Sequence, residues 1–296
     1  DNEDLRGSAV YSEIIDGSVV FWHEEVAEGK VDSNAFSARV SGTFTAKEDG
    51  EHSFGLHAAA YAKLYVDGAL VVDAWDTWCK GRTFFEEGCD ERTGTVNLAA
   101  GQTVSVVMEL RTKAADNLYF TAFRFGVSRV LGAREIDAAV AVASRCDTAV
   151  VFVGRSGEWD TEGSDLENIE LPRNQNALIT AVCAANPNTI VVLQTGGPVE
   201  MPWVAQAPAI VQAWYPGQEC GNAIADGLFG YADPAGRLPP TFPLLLSDNP
   251  SQSQDPEIYP RSARTGRYGG RDFVGYRHYG KYGIKPLLPF GHGPSY

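Results

Sequence analysis

The residues most able to do chemistry lie in one stretch, RSGEWDTEGSDLENIELP, residues 155–172. It carries Glu158, Asp160, Glu162, Asp165, Glu167 and Glu170. The stretch directly follows a buried strand, which puts its carboxylates at the ligand edge of a sheet. Trp159, directly after Glu158, offers an apolar plate on which a sugar ring could stack. Gly157 and Gly163 let the backbone turn tightly beside a ligand. The spacing alone also fits a solvated acidic loop that caps the helix expected from 174.

Other chemistries find no support. No GxGxxG follows the first strand of the α/β region, and no GxSxG elbow is present. The five histidines (His23, His52, His57, His278, His292) are scattered and form no HExxH-like pair. Neither a metal nor another cofactor is expected.

The elements around the loop explain why it matters. DTAVVFVG (147–154) is a short apolar run ending in glycine, and it leads straight into the loop. AREIDAAVAVASRC (133–146), NQNALITAVCAAN (174–186) and GNAIADGLFG (221–230) have helical spacing. TIVVLQTG (189–196) and AIVQAWYPG (209–217) read as further buried strands. Apolar strands alternating with helices predict a parallel sheet covered on both faces. Ligands of such sheets sit beyond the carboxyl ends of the strands. That singles out 154–170, GGPVEMPW (196–203) and WYPGQECGN (214–222).

Upstream the pattern differs. FSARVSGTFTA (36–46), GEHSFGLHA (50–58), AKLYVDGALVVD (62–73), GTVNLAAGQTVSVVMEL (94–110) and LYFTAFRFGV (118–127) alternate with period two. Asp49-Gly50, Asp67-Gly68 and Ala100-Gly101 mark the turns. A β-sandwich or barrel is predicted there. The fold class is therefore all-β followed by α/β, with a β domain over 1–128, an α/β portion over 129–246 and an irregular tail over 247–296.

The 296 residues are 44% apolar and 21% charged, as in ordinary globular chains, and carry a formal charge of −14. Nucleic acid and anionic membranes call for a basic face and are not expected as partners. No apolar run approaches the roughly 20 residues of a membrane span. The acidic start, DNEDLRGSAV, does not read as a signal peptide. Cys79 and Cys89 flank a loop-like stretch and could pair as a local disulfide, which would favour a secreted, extracellular protein. Cys146, Cys183 and Cys220 read as buried thiols.

Several motifs together resemble a known family. GEWDTEGSD, LPRNQNALI, ANPNTIVVLQTGGPVEMPW, IVQAWYPGQECGNAIADGLFGYADPAGRLPPTFP and VGYRHY with PLLPFGHGPSY resemble the second half of a family 3 glycoside hydrolase of the β-glucosidase type. Upstream, GTFTAKEDGEHSFGLHAAAYAKLYVDGALVVDAWD (42–76) resembles a PA14 domain, which many such enzymes carry inserted in their α/β-sandwich domain.

The resemblance implies a retaining glycosidase, in which two carboxylates stand about 5–5.5 Å apart and one forms a glycosyl-enzyme intermediate. It places the nucleophile on an N-terminal barrel that this chain does not contain, and the acid/base on Glu162, with Glu158 as the fallback. It maps Phe84 and Phe85, in WCKGRTFFEEGCDERTG, onto a segment that reaches over the pocket mouth; two core strand residues are the alternative. A β-glucoside substrate, a barrel-containing partner or missing N-terminal region, and a fibronectin-like domain after the tail are also implied. The chain departs from the family pattern at Ser164-Asp165-Leu166, where an aromatic residue and then Asp-Arg are usual, at Cys220 and at Pro294. A non-catalytic carbohydrate-binding or degenerate glycosidase-like protein is the alternative function.

Overall fold

The computed structural model describes residues 5–23, 25–114, 119–162, 165–252, 258 and 269–293. Gly163 and Ser164 of the acidic loop, and the end of the GHGPSY motif from Pro294, lie outside the described residues. The chain divides into two compact units, Asp1–Gly132 with Thr161–Asp165, and Ala133–Asp160 with Leu166–Tyr296.

The first unit holds eight strands among its described residues: β1 (Val19–Trp22), β2 (Ser37–Thr45), β3 (Gly50–Ala59), β4 (Tyr61–Val66), β5 (Ala69–Ala74), β6 (Arg92–Leu98), β7 (Thr103–Arg111) and β8 (Thr121–Arg129). They form two antiparallel sheets, ordered β1-β8-β3-β6 and β2-β7-β4-β5. The period-two pattern sends alternate side chains inward. Ala62, Leu64 and Val66 of β4 and Val104, Val106, Met108 and Leu110 of β7 meet Phe54, Leu56 and Phe123 in one shared core. Asp67 and Gly68 both take positive φ, +46° and +80°, as a tight two-residue hairpin turn demands. β1 was not expected from the sequence. Its four residues, VVFW, alternate too briefly to stand out, and pairing with β8 makes them a strand.

The expected Cys79–Cys89 bridge is absent. Both are free thiols, Cys79 exposed and Cys89 buried. Cys89 is drawn inward by its backbone bond to the Ala58 carbonyl at 3.0 Å, while the Cys79 sulfur accepts from Arg92 at 2.7 Å. The argument for an oxidising compartment that rested on this pair therefore falls. Cys146 is exposed and Cys220 half-buried, so of the three cysteines read as buried only Cys183 is so.

The second unit is built on a parallel sheet ordered β11-β10-β9, from β9 (Ala149–Gly154), β10 (Thr189–Gln194) and β11 (Ala209–Gln212). Helices α1 (Ala133–Ala143), α2 (Gln175–Ala185) and α3 (Cys220–Leu228) accompany it. Val151, Val153, Val191 and Leu193 share a core with Ile179 and Val182 of α2, Ala143 of α1, and Trp203 and Phe242. The opposite face is covered over Val192 but leaves Val150 and Phe152 of β9 exposed, so the expected two-sided burial holds for β10 and not for β9.

β11 stops at Gln212, short of the predicted 217, because Trp214 adopts φ +55°, which no strand accommodates. The tail is not wholly irregular either. Helix α4 (Tyr276–Tyr282) forms between Gly275 and a left-handed Gly283. It buries Tyr279 and stacks Tyr276 on Phe290 at 4.9 Å. The glycines around and within it hide the helical period from the sequence. Among the described residues no helix is long and apolar enough to cross a membrane.

Candidate active site

The three loops that follow β9, β10 and β11 are tied together by Asp160. Its Oδ2 accepts from the Gly196 amide at 2.8 Å and from the Tyr215 hydroxyl at 2.7 Å. Its Oδ1 faces Arg155 Nη1 at 3.4 Å. Arg155 in turn donates through Nε and Nη2 to the carbonyl of Glu170, at 3.3 and 3.1 Å. The guanidinium thus joins the beginning and the end of the acidic loop. Its side chain is 1% exposed and that of Asp160 13%, so the pair is screened from water and the contact is stronger than a surface bridge.

Local geometry explains why each partner arrives. Residues 156–160 make a single turn, with Trp159 N and Asp160 N both donating to the Ser156 carbonyl. Gly196 is the residue that permits close approach. A Cβ there would stand 3.1 Å from the Tyr215 ring and 3.2 Å from Asp160 Oδ2. The left-handed Trp214, packed against Phe242, redirects the chain after β11. Half of Tyr215 is exposed, yet its hydroxyl is turned inward onto Asp160. Burial first, and then the hydrogen bond to the Asp160 carboxylate, push its pKa up to about 12. The hydroxyl also lies 3.0 Å from the Arg155 carbonyl. It has one proton, which the shorter, charge-assisted contact to Asp160 claims. Gln175 secures the base of the loop, exchanging two hydrogen bonds with the Gly154 backbone at 2.7 and 2.9 Å.

The sequence candidates divide between the two units. Glu158 and Trp159 are half-buried on the 156–160 turn of the second unit. Glu162 is exposed and belongs with Thr161–Asp165 of the first. Phe84 and Phe85 are not strand residues of a core. They sit in an irregular loop between β5 and β6, where Phe84, Phe85 and Glu86 all take positive φ, +52°, +56° and +64°. The loop is closed by Gly81 N to Gly88 O and Gly88 N to Thr83 O, and by Arg82 N to Asp90 Oδ1. Three left-handed residues in succession are costly and need a fixed frame. Glu87, 2% exposed and 3.5 Å from the Lys113 ammonium, whose side chain is 7% exposed, supplies one. Phe85 is held 48% exposed, edge-on to Phe120, which stacks on Phe21 at 4.4 Å.

Sequence reasoning missed Arg155 and Tyr215. An Arg directly after a strand and an Asp five residues later form no recognised periodic pair, and Tyr215 is sixty positions away in the chain. A signal was present only in the rule that strand-end loops of a parallel sheet converge.

An acidic loop thus stands at the carboxyl edge of a parallel sheet, in a chain whose other unit is a pair of antiparallel sheets. The family described as the glycosyl hydrolase family 3 C-terminal domain matches residues 55–296, and the chain belongs to that family. It is 48% identical over 289 residues to a β-glucosidase of Rhizobium radiobacter, covering 97% of this chain and 35% of that protein. It is 44% identical over 278 residues to a probable β-glucosidase I of Aspergillus terreus, covering 90% and 32%. Among solved structures, the β-glucosidase of Kluyveromyces marxianus in complex with glucose superposes with a TM-score of 0.79 at 38% identity, covering 88% of this chain and 31% of that one. The chain spans about a third of the length of the relatives it matches.

Proposed function

We propose that this chain supplies the acid/base half of a retaining β-glucosidase. The observation that carries the reading is the carboxylate-rich loop at the carboxyl end of β9, in a chain that belongs to glycosyl hydrolase family 3 and is 48% identical to a β-glucosidase. Glu162 protonates the leaving oxygen and then deprotonates the attacking water; Glu158 is its fallback. The nucleophile comes from a barrel in the part of the protein outside these residues. The first unit is a PA14-type domain, whose Phe84 and Phe85 form the rim of the pocket. Trp159 offers a stacking plate to the sugar. The position of the loop supports these roles, as does the exposure of Phe85.

The test is made on the full-length protein. Glu162→Gln lowers turnover of an unactivated glucoside by about 10²–10⁴-fold, the usual contribution of a general acid. Azide, which needs no general base, restores part of the turnover of an activated aryl glucoside. Normal activity in Glu162→Gln would refute the assignment, and the same experiment on Glu158→Gln decides the fallback. The 296 residues alone release negligible p-nitrophenol from an aryl glucoside, since they lack the nucleophile.

A further inference from the structure

The geometry points to Asp160 as the positioning residue for Glu162, acting through a knot with Arg155, Gly196 and Tyr215. This rests on the assignment of Glu162 as acid/base and extends it. Asp160 is a carboxylate of the same loop, and its chemistry is already engaged. Three donors from three segments converge on it: a guanidinium, a backbone amide and a phenol. Both oxygens are occupied as acceptors, so Asp160 is built to hold and not to exchange a proton with a substrate.

What it holds follows from chain connectivity. Glu162 is two residues further on, and two residues reach at most about 7 Å. Pinning Asp160 to the ends of β10 and β11 therefore limits where the Glu162 backbone can go. Arg155 joins the other end of the loop, at Glu170, to its start at 3.1 Å. The arrangement matters because a general acid displaced by about 1 Å loses on the order of 10²-fold in rate. Glu162 itself is exposed, and its segment starts from the anchored Asp160.

The consequence is specific to the proton-transfer step. A loosened Glu162 slows departure of a poor leaving group, which needs protonation, and hardly affects a 2,4-dinitrophenolate, which leaves without it. A role confined to folding would lower both rates equally. In the full-length protein, kcat/KM is measured for an alkyl β-glucoside and for 2,4-dinitrophenyl β-glucoside. Asp160→Asn should lower the first by about 10²-fold and the second by no more than a few-fold. Tyr215→Phe, which removes one hydroxyl and leaves the packing, should show the same split at about tenfold. In a Glu162→Gln background neither substitution should add to the loss on the alkyl glucoside. Equal losses on both substrates, no loss, or full additivity with Glu162→Gln would overturn the inference. If Glu162→Gln shows the split and Asp160→Asn and Tyr215→Phe do not, the knot is structural and Glu162 stands. If Glu162→Gln itself shows no split, the acid/base assignment fails first.

Discussion

His57 gives the first unit a built-in sensitivity to acid. It lies in β3, directly across from Arg124 of β8, and is 5% exposed. Burial lowers its pKa, the Arg124 charge lowers it further, and Glu91 and Asp90 only partly offset this, so it falls from 6.5 to about 4. The unfolded chain binds a proton as pH falls through about 6.5, while the folded unit does not until about 4. Stability is thus intact above pH 6.5, declines between 6.5 and 4, and levels off below. At about 1.4 kcal/mol per pH unit the full loss is about 3 kcal/mol, and between pH 7.5 and 5.0 it is about 2 kcal/mol. His57→Gln removes the titration. Urea unfolding of wild type and variant at those two pH values should show wild type losing about 2 kcal/mol more than His57→Gln. NMR titration of the imidazole should find no protonation near 6.5. Identical pH dependence in the two proteins, or an imidazole that titrates near 6.5, would refute the reasoning.

Two further predictions concern stability. Glu87→Gln leaves the Lys113 ammonium buried beneath Trp78 without its counter-charge, and should cost about 3–5 kcal/mol by denaturant unfolding; the double change Glu87→Leu with Lys113→Met should recover more than half. Gly154→Ala drives a Cβ into the Gln194 backbone carbonyl and should lower the unfolding free energy of the second unit by about 1–3 kcal/mol, whereas an unchanged denaturation midpoint would mean that β9 and β10 can part without penalty.

Much of the fold was legible because its signals are local. Alternation marked β2 to β8, and Asp67-Gly68 gave the β4–β5 turn because only two adjacent positive-φ residues make it. Short apolar runs gave the parallel strands, and their carboxyl ends gave the three loops of the site. The remainder depends on contacts that no local pattern encodes. β1 is a strand through β8, a hundred residues away in sequence. The strand after Gln212 fails through one strained backbone angle at Trp214. The knot on Asp160 draws from positions 155, 196 and 215, so its members look unrelated until the sheet aligns them. Cys79 and Cys89 looked paired by spacing, but one faces solvent and the other the interior.

The long-range pairing of the β-sandwich also bears on how the chain emerges during synthesis. β4 and β5 are joined by a two-residue turn and can form as soon as they appear. β2 must wait for β7, whose Arg111 pairs with Ser37, and β1 must wait for β8, whose Arg124 pairs with Val19. Loop closure over such spans is slow, and unpaired strands are exposed to neighbouring chains meanwhile. A ribosome that pauses before β8 is complete therefore holds a nascent chain in which β1 has no partner and β3 has only β6. Synonymous codons that speed translation of residues 100–130 would shorten that interval and raise the soluble yield without altering one atom of the finished protein.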